Sequence, residues 1–567
     1  MKKSRIGDLF AKKDHDVNLI LSLLTILLFS SFLGSCSRDE ELLDNEEKSQ
    51  IIDPSPSQPS VIYHGTSVIV KADETLSASG KNDIDVIRNY FYSGTLCDDN
   101  LTNDPSMPLW PVELKYAEAI GVHGMRAINA ERGCSLDANG NFVTSSGLRG
   151  ALNIIHRHQW DLHLIVAQSK PAALQGDAWN WNAAQWNAYE DYAYKCLNFV
   201  MNDHNGGFQQ SIIEVANEVD ISGKGGYWFA EGTWNNGDLK AYAGYIKAYA
   251  QWSDAAKRFN RDFPGKKVRL FGPAITAYTI WFTPMWCKEN WALKFIGDAQ
   301  ANNWQFDGLS IHQYGGEMLG ERPDYSNGKN PRYRSTLKEM QDKLDRCGFP
   351  DTEIWITEWS PSDWFGTDRV KNNYRPAGGA FAAAFMHESV DNGIDGMVPL
   401  RLRAPNTDSK WSTIGSLATI NKVIYPNPVY NVFRMFNMLP GQRKKLIWKN
   451  GNIQLGAIAS GTKDAVGLIV YNYDWDNASI TDRSVSHEFQ VKVAAPTLSG
   501  NITVKRFLMD HEHSNVAKYV DAGAIPPLQD VELQQVEEYS VQAVNDTITL
   551  AATTLGQSAV SLWLLSK

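Results

Sequence analysis

The sequence contains few cysteines and no strongly basic stretch, and each absence excludes a class of protein. Its 6 cysteines in 567 residues form no Cys-x-x-Cys pair and no Cys/His cluster with metal-ligand spacing. The net charge is −10 and no basic patch is visible, so we do not expect a nucleic acid partner. The sequence also lacks a repeat of solenoid period and a glycine-rich phosphate-binding turn, which argues against a repeat protein and a dinucleotide-binding sheet.

The apolar run near the N-terminus is too short for a membrane-spanning helix. Five basic residues lie between positions 2 and 13, and the apolar run covers residues 19–33, fewer than the roughly 20 residues of a spanning helix. The run ends at Leu33-Gly34-Ser35-Cys36, which resembles the lipidation site of bacterial lipoproteins. We therefore predict a cleaved signal peptide over residues 1–35 and acyl chains such as palmitate on Cys36. An ordinary signal peptide with a chance cysteine is the alternative.

Residues 36–60 are acidic and rich in serine and proline, which predicts a disordered tether. The acidic residues close to Cys36 resemble the surface-export signal of Bacteroidetes lipoproteins, although a plain solvated linker has a similar composition. The resemblance implies an outer-membrane lipoprotein at the cell surface, with the periplasmic face as the alternative. The lipid would then be its only membrane contact. Export permits disulfides, but the sequence does not assign a pair among the five remaining cysteines: Cys97, Cys134, Cys196, Cys287 and Cys347.

Between residues 81 and 425, strand-like runs alternate with amphipathic helical segments. A less clear first strand lies near residues 86–92, and seven apolar runs follow it at 124–128, 162–167, 211–218, 268–272, 306–314, 353–359 and 396–401. Strands that alternate with helices over this length predict an α/β fold with a parallel sheet. An eight-stranded (β/α)8 TIM barrel is the economical choice, and a doubly wound sheet is the alternative.

The pattern changes after residue 426. Short strand-like runs separated by glycine, asparagine and aspartate turns predict an accessory antiparallel β-sandwich over residues 426–567. Residues 61–80 are also strand-like. Although they precede the barrel in the sequence, they are a candidate strand of this sandwich.

Two glutamates end apolar strands of the predicted barrel. Glu218 ends the fourth strand and Glu358 ends the seventh. Active sites of such barrels lie at the C-terminal ends of the strands. Retaining glycosidases use two carboxyl groups roughly 5–5.5 Å apart, so this pair predicts cleavage of a glycosidic bond. The alternative is that each glutamate forms a structural ion pair at a strand end.

The arrangement resembles clan A glycoside hydrolases, in which an Asn-Glu pair ends strand four and a second glutamate ends strand seven. The resemblance implies that Glu218 is the acid/base, that Asn217 binds the sugar 2-hydroxyl and that Glu358 is the nucleophile. It implies no metal and no organic cofactor. Arg126 ends the second strand, where an arginine of the clan commonly hydrogen-bonds the nucleophile, and a salt bridge at the barrel rim is the alternative.

Further residues are predicted to line the sugar site. Strand six ends with His312 and Tyr314, and the resemblance places such residues near the nucleophile, with simple rim packing as the alternative. Flat aromatic faces stack on sugars, so we predict that Trp359, at the end of strand seven, binds the substrate. As a set, several further tryptophans are predicted to line subsites, although core packing is the more common role of any single one: Trp179, Trp181, Trp228, Trp234, Trp281, Trp286, Trp364 and Trp411. Arg401 and Arg403 end strand eight and indicate either an anionic sugar or a structural pair.

A second resemblance lies in the predicted sandwich. Residues 504–515 contain Asp510, His513, Ser514 and Asn515, and they resemble the Asp-x-x-His-Ser-Asn segment of glycoside hydrolase family 39, the β-xylosidase and α-iduronidase group. That family usually has a proline after the Asn-Glu pair, whereas Val219 and Asp220 follow here. Because of this departure, related clan A families that cut β-glucans or algal galactans are alternatives to family 39.

The leading hypothesis is a retaining glycoside hydrolase that acts on a β-linked polysaccharide or its oligosaccharides. A surface-tethered enzyme suits internal cleavage of polymers such as β-glucan, xylan or algal galactan, so endo-action is slightly favoured. The family 39 likeness instead favours an exo-acting β-xylosidase. A non-catalytic surface glycan-binding lipoprotein is the alternative from another class, since fold does not fix function.

Overall fold

The protein is described by a computed structural model. The described residues are 65–76, 95–97, 110–127, 133–221, 230–232, 235–276, 279–280, 289–315, 332–361, 374–400, 402, 411–412, 415–451, 454–474 and 484–567. The predicted signal peptide, Cys36 and the tether lie outside them, as do Arg401 and Arg403. Within these ranges, no helix combines the length and the apolar character needed to cross a membrane.

Eight of the first eleven strands form one parallel sheet. In chain order the eleven are β1 (Ser67–Thr75), β2 (Thr95–Cys97), β3 (Gly124–Ala127), β4 (Cys134–Leu136), β5 (Phe142–Thr144), β6 (Asp161–Val166), β7 (Gln210–Val215), β8 (Lys267–Ile275), β9 (Gly308–Tyr314), β10 (Glu353–Ser360) and β11 (Gly396–Pro399). The sheet has the order β2-β3-β6-β7-β8-β9-β10-β11, and β11 returns to lie beside β2. These eight are barrel strands one to eight. The first is therefore β2, whereas the segment predicted for it, residues 86–92, lies outside the described residues.

A helix follows each barrel strand. The helices are α1 (Trp110–Ala119), α2 (Ser146–Arg157), α3 (Ala183–Asn198), α4 (Leu239–Asp262), α5 (Trp291–Ala301), α6 (Arg332–Arg346), α7 (Pro376–Asp391) and α8 (Pro428–Asn437). Local sequence sets several of their starts, because Ser145, Asn182 and Asn290 each accept a hydrogen bond from the backbone N–H three residues on. The alternation confirms the prediction of a (β/α)8 TIM barrel.

The C-terminal part carries an accessory β domain. Before helix α8, a separate three-stranded antiparallel sheet is formed by β12 (Trp411–Ser412), β13 (Leu417–Ile420) and β14 (Val423–Pro426). The elements of the accessory domain after α8 are β15 (Gln442–Lys449), β16 (Leu455–Gly461), β17 (Ala465–Asn472), β18 (His487–Ala494), β19 (Asn501–Met509), α9 (Ala517–Asp521), α10 (Leu528–Val531), β20 (Gln534–Gln542), β21 (Thr547–Thr549), β22 (Thr553–Leu555) and β23 (Val560–Ser566). A ten-stranded sheet has the order β20-β19-β23-β17-β16-β15-β1-β18-β21, with β22 paired to β18.

The accessory sheet is mixed, which corrects the prediction of a purely antiparallel one. Strand β1, from before the barrel, lies between two C-terminal strands, antiparallel to β15 and parallel to β18. The sheet folds over a shared core. Phe489 of β18 and Trp563 of β23 are far apart in the strand order, yet their ring centroids are 5.8 Å apart. The sheet therefore encloses its apolar residues in two layers.

The Asp-x-x-His-Ser-Asn segment forms a turn between the sheet and helix α8. The Asp510 carboxylate accepts the backbone N–H groups of Glu512 and His513. Ser514 is buried, and its carbonyl oxygen accepts from the Asn431 amide of α8 at 2.9 Å. The motif thus fixes the junction between barrel and accessory domain, well away from the glutamate pair in sequence.

Candidate active site

The two predicted glutamates meet at the C-terminal ends of barrel strands four and seven. Glu218 lies three residues beyond the end of β7, and Glu358 lies within β10. One oxygen of each carboxylate and a ring nitrogen of His312 lie within 4.8 Å of one another. Each glutamate is 6% exposed, so both are nearly enclosed. This separation suits a retaining pair, in which no water needs to fit between carboxylate and sugar.

A strained backbone directs Glu218 into the site. Ala216 and Glu218 have φ angles of 68° and 51°, a left-handed conformation that costs a non-glycine residue about 1–2 kcal/mol. Two hydrogen bonds to neighbouring segments hold it: Ala216 N–H to the Val166 carbonyl at 2.7 Å, and Glu218 N–H to the Ala274 carbonyl at 2.8 Å. The segment therefore stays attached to strands three and five while its side chains turn toward the site.

A β-bulge directs Glu358. Along β9 and β10, Ile356 pairs with Ile311 and Glu358 with the next residue, His312, so Thr357 is an extra residue. Trp355 lies in the cluster inside the barrel. Strict alternation from Trp355 would therefore turn Glu358 outward. The bulge shifts the alternation by one residue, which places Glu358 inside.

The same bulge corrects the prediction for Trp359. With Glu358 turned inward, Trp359 faces the surrounding helices, and its ring centroid lies 5.1 Å from that of Phe385 and 5.8 Å from that of Phe433. It is 1% exposed, so it presents no face to a sugar. Trp181 is also buried, against Trp186.

The structure describes the remaining predicted tryptophans only in part. Trp179 is half-buried in a short 3-10 turn, Ala178–Asn180. Trp411 lies in β12, and its side chain is outside what is described. The others lie outside the described residues: Trp228, Trp234, Trp281, Trp286 and Trp364.

Arg126 joins the groups at the bottom of the site. It is fully buried, and its guanidinium donates to three acceptors: Glu214 Oε2 from Nε at 2.6 Å, Asn217 Oδ1 from Nη2 at 2.8 Å, and Glu358 Oε2 from Nη1 at 3.1 Å. The predicted contact between this arginine and Glu358 is therefore present. Because one rigid fork holds all three, it also fixes their relative positions.

Glu214 and His163 form a buried charged cluster with Arg126. Both are fully buried, and His163 Nε2 lies 3.2 Å from Glu214 Oε2. Burial alone would raise the pKa of Glu214, but the guanidinium of Arg126 and the imidazole of His163 hold that pKa well below its ordinary value. Sequence reasoning missed this residue. Its signal was a charged residue inside an apolar strand, since a buried charge requires a partner.

Strand six supplies a contact to each glutamate. Arg126 Nη2 lies 3.4 Å from His312 Nε2, and a guanidinium only donates, so Nε2 accepts and Nδ1 carries the proton. His312 Nδ1 is 3.2 Å from Glu218 Oε1 and 3.7 Å from Glu358 Oε2. The Tyr314 hydroxyl donates to Glu358 Oε1. Glu358 thus accepts hydrogen bonds on both oxygens, and Glu218 accepts one from the imidazole.

Asp220, two residues after Glu218, anchors the segment that carries Glu218. It is fully buried and accepts from the Thr276 N–H at 3.0 Å, the Thr276 hydroxyl at 2.7 Å and the Thr279 hydroxyl at 2.8 Å. Burial raises its pKa against the effect of these hydrogen bonds, and Glu218 nearby adds to the rise. Its hydrogen bonds tie the segment after strand four to the segment after strand five.

Carboxylates and imidazoles also bind metal ions, so we examined whether Glu218, His312 and Glu358 suit a divalent cation. Glu358 Oε2 lies 3.1 Å from a guanidinium nitrogen, and its other oxygen accepts from Tyr314. A divalent cation at this carboxylate would face the arginine charge at close range. The donor set therefore fits a charge-balanced carboxylate pair better than an ion site.

Replacement of Glu214 by glutamine is expected to destabilise the protein most at neutral pH. A depressed folded-state pKa contributes stability above the unfolded value, about 4.3, and the contribution is lost as pH falls through the folded value. The free energy of unfolding should therefore fall by about 3–5 kcal/mol at pH 7, the usual cost of breaking a buried ion pair. The difference from wild type should narrow below about pH 4. Urea denaturation at pH 7, 5 and 3.5 measures it, and a difference that widens on acidification contradicts the assignment.

A (β/α)8 barrel that carries an Asn-Glu pair after strand four and a second glutamate on strand seven defines a glycosidase. Comparison with known proteins agrees. The chain belongs to Glycosyl hydrolases family 39, whose sequence profile matches residues 224–539. The match includes Glu358 and strand six, and it begins just after Glu218.

Solved structures are similar to this chain over most of its length. The GH39 enzyme from Xanthomonas axonopodis pv. citri has a TM-score of 0.62 at 14% identity, over 88% of this chain and 97% of that chain. A monomeric β-xylosidase from Caulobacter crescentus CB15 has a TM-score of 0.62 at 13% identity, over 88% and 99%. A bacterial orthologue of human α-L-iduronidase has a TM-score of 0.62 at 14% identity, over 89% of this chain and 84% of that chain. At these identities the likeness concerns the fold. No curated protein sequence matches the chain.

Proposed function

We propose that the protein is a retaining glycoside hydrolase that cleaves β-glycosidic bonds, with Glu358 as nucleophile and Glu218 as acid/base. The observation that carries the proposal is the unequal environment of two adjacent carboxylates. Glu358 accepts from the Arg126 guanidinium and the Tyr314 hydroxyl, which stabilise an ionised nucleophile. Glu218 faces the His312 imidazole, whose Nδ1 lies 3.2 Å from its Oε1.

The hydrogen bonds also orient the proton and the sugar. The His312 N–H occupies Glu218 Oε1 and so directs the transferable proton to Oε2. Asn217 Oδ1 accepts from Arg126, which turns its amide nitrogen toward the sugar, where it can donate to the 2-hydroxyl. Glu358 attacks the anomeric carbon while Glu218 protonates the departing oxygen. Glu218 then removes a proton from the water that releases the sugar.

We propose a β-linked polysaccharide, cleaved internally, as the substrate. A lipid-tethered enzyme meets long polymers more readily than short fragments, and this favours endo-action on a β-glucan, a xylan or an algal galactan. Exo-action on xylosides is the second candidate, because a GH39 β-xylosidase from Caulobacter crescentus has a similar fold. A glycan-binding role without catalysis is less well supported, since a binding protein gains nothing from an arginine held against one of two adjacent carboxylates.

Product analysis tests this function. The enzyme should release reducing ends from one member of a panel of xylan, β-glucans and algal galactans, and early products should be oligosaccharides. Proton NMR during the first turnovers should show the β-anomer before mutarotation, because two displacements restore the configuration. Release of monosaccharides alone favours exo-action. An initial α-anomer contradicts the nucleophile assignment, and no cleavage of polymers, oligosaccharides or aryl glycosides favours a binding protein.

We also propose that Cys36 carries the lipid that anchors the enzyme to the outer membrane. The support is the basic and apolar leader that ends at this cysteine. Replacement of Cys36 by alanine should abolish incorporation of labelled palmitate and move the enzyme out of the membrane fraction. Replacement of Cys347 is the matched control and should leave both unchanged. Labelling that survives the loss of Cys36 contradicts the proposal.

A further inference from the structure

Two buried cysteines that are distant in sequence lie in contact next to the barrel. Cys134 begins β4, in the connection that follows Arg126, and Cys196 lies in the last turn of α3. Their Sγ atoms are 3.4 Å apart and both residues are 1% exposed. The sequence alone could not choose a pair among five cysteines. The fold places these two together.

The contact lies within a packed junction. The Tyr192 hydroxyl, one helical turn before Cys196, donates to the carbonyl of Cys134 at 3.0 Å. The Tyr192 ring lies 6.4 Å from the ring of Phe142 on β5. Tyr192 thus holds the β4–β5 hairpin to α3 next to the two sulfurs. Their proximity therefore follows from the backbone arrangement as well as from the choice of side-chain rotamers.

The surroundings offer these sulfurs no metal site. Among the described residues, the one set of three or more metal-ligand side chains is Glu218, His312 and Glu358, which excludes both cysteines. A zinc site takes three or four protein ligands, and the described residues bring no such set together at these cysteines. The contact between the two sulfurs points instead to a reaction with each other.

We propose that Cys134 and Cys196 form a disulfide bond in the exported protein. The two thiols lose two protons and two electrons to a disulfide donor, which is reduced: oxidised glutathione to two molecules of glutathione, or an exchange protein of the compartment to its dithiol form. The sulfurs must approach by about 1.4 Å to reach a bond length of 2.03–2.05 Å. The predicted leader directs the chain to a compartment in which such bonds persist.

The bond would link the connection after barrel strand two to the helix after barrel strand three. It would close a loop from Cys134 to Cys196, and loops of this length restrict the unfolded chain considerably. The same connection follows the strand that carries Arg126. The bond would therefore stabilise one side of the barrel wall near the glutamate site without contact with the reacting atoms. The proposal does not depend on the catalytic roles.

Peptide mapping of the full-length protein tests the proposal. The protein is refolded in a buffer of reduced and oxidised glutathione, its free thiols are alkylated under denaturing conditions, and the peptides are analysed by mass spectrometry. We expect a linked pair of peptides containing Cys134 and Cys196, lighter by two hydrogens than the separate thiols. Reductant should lower the Tm of wild type by several degrees, because the closed loop opens.

Variants separate this pair from other thiols. Cys347→Ser should keep both the linked peptides and the Tm response, whereas Cys196→Ser should lose both. Wild-type mapping requires no variant to fold, so a destabilised Cys196→Ser does not spoil the test. Alkylation of both Cys134 and Cys196 after refolding with excess oxidised glutathione overturns the proposal, as does a linked peptide that joins either of them to another cysteine.

Discussion

Replacement of Glu358 by alanine is expected to reduce kcat/KM by about 10⁴-fold or more, in line with the removal of other enzymatic nucleophiles. Without this carboxylate, no group on the opposite side of the sugar forms the covalent intermediate. The fold should survive, because Arg126 keeps its bonds to Glu214 and Asn217 when Glu358 is gone. Kinetics on an aryl β-glycoside together with the Tm measure both effects.

The matched control is Glu353→Ala on the same strand. Glu353 lies at the opposite end of β10, where it pairs with Arg269, so its loss should leave kcat/KM close to wild type. Azide adds a second readout. In Glu358→Ala it enters the space of the lost carboxylate and attacks once, so the glycosyl azide should have inverted configuration. Full activity in Glu358→Ala without azide contradicts the assignment.

The sequence predicted the glutamate pair because each glutamate ends an apolar run, a local pattern that barrel strands share. Counting runs then gave the strand numbers, and the order of the described barrel strands agrees with them, with Thr95–Cys97 as the first. The segment predicted for that first strand, residues 86–92, lies outside the described residues, and its exact position does not change how many strands precede Glu218.

Details that depend on a single residue of register could not be predicted. A bulge at Thr357 has no local sequence signature, yet it decides that Glu358 faces inward and Trp359 outward. Glu214 looked like one more residue of a buried strand, and its role appeared only when Arg126 of another strand was seen beside it. The alternation of side chains is a property of one strand. Which side chains they contact depends on the neighbouring strands, which come from elsewhere in the sequence.

Pairings between distant segments were predicted only in part. The strand-like character of residues 61–80 suggested that they join the accessory sheet, but it did not indicate that β1 lies between β15 and β18, parallel to β18, which makes the sheet mixed. The contact between Cys134 and Cys196 likewise arises only when a hairpin packs on a helix. The sequence shows that the residues of these contacts exist, but the pairing depends on how the folded chain brings distant segments together.

Removal of the acid should act differently from removal of the nucleophile, and this difference identifies which glutamate is which. General acid catalysis contributes about 10²–10⁴-fold, and the help it gives depends on how poor the leaving group is. Glu218→Ala should therefore lose about that factor on a polysaccharide, whose sugar leaving group requires a proton. A nitrophenyl glycoside requires little protonation, so its bond should still break at a substantial rate.

The second step then becomes the slow one in Glu218→Ala. Water is no longer activated by a base, so the glycosyl-enzyme on Glu358 should accumulate and nitrophenol should appear as an initial burst. Azide, which needs no base, should release the sugar as a β-glycosyl azide with retained configuration. Glu353→Ala again serves as control and should show no burst. Equal losses on polysaccharide and nitrophenyl substrate in Glu218→Ala, or an inverted azide product, would mean that the two glutamates exchange roles, because only the residue that donates the leaving-group proton makes the loss depend on leaving-group acidity.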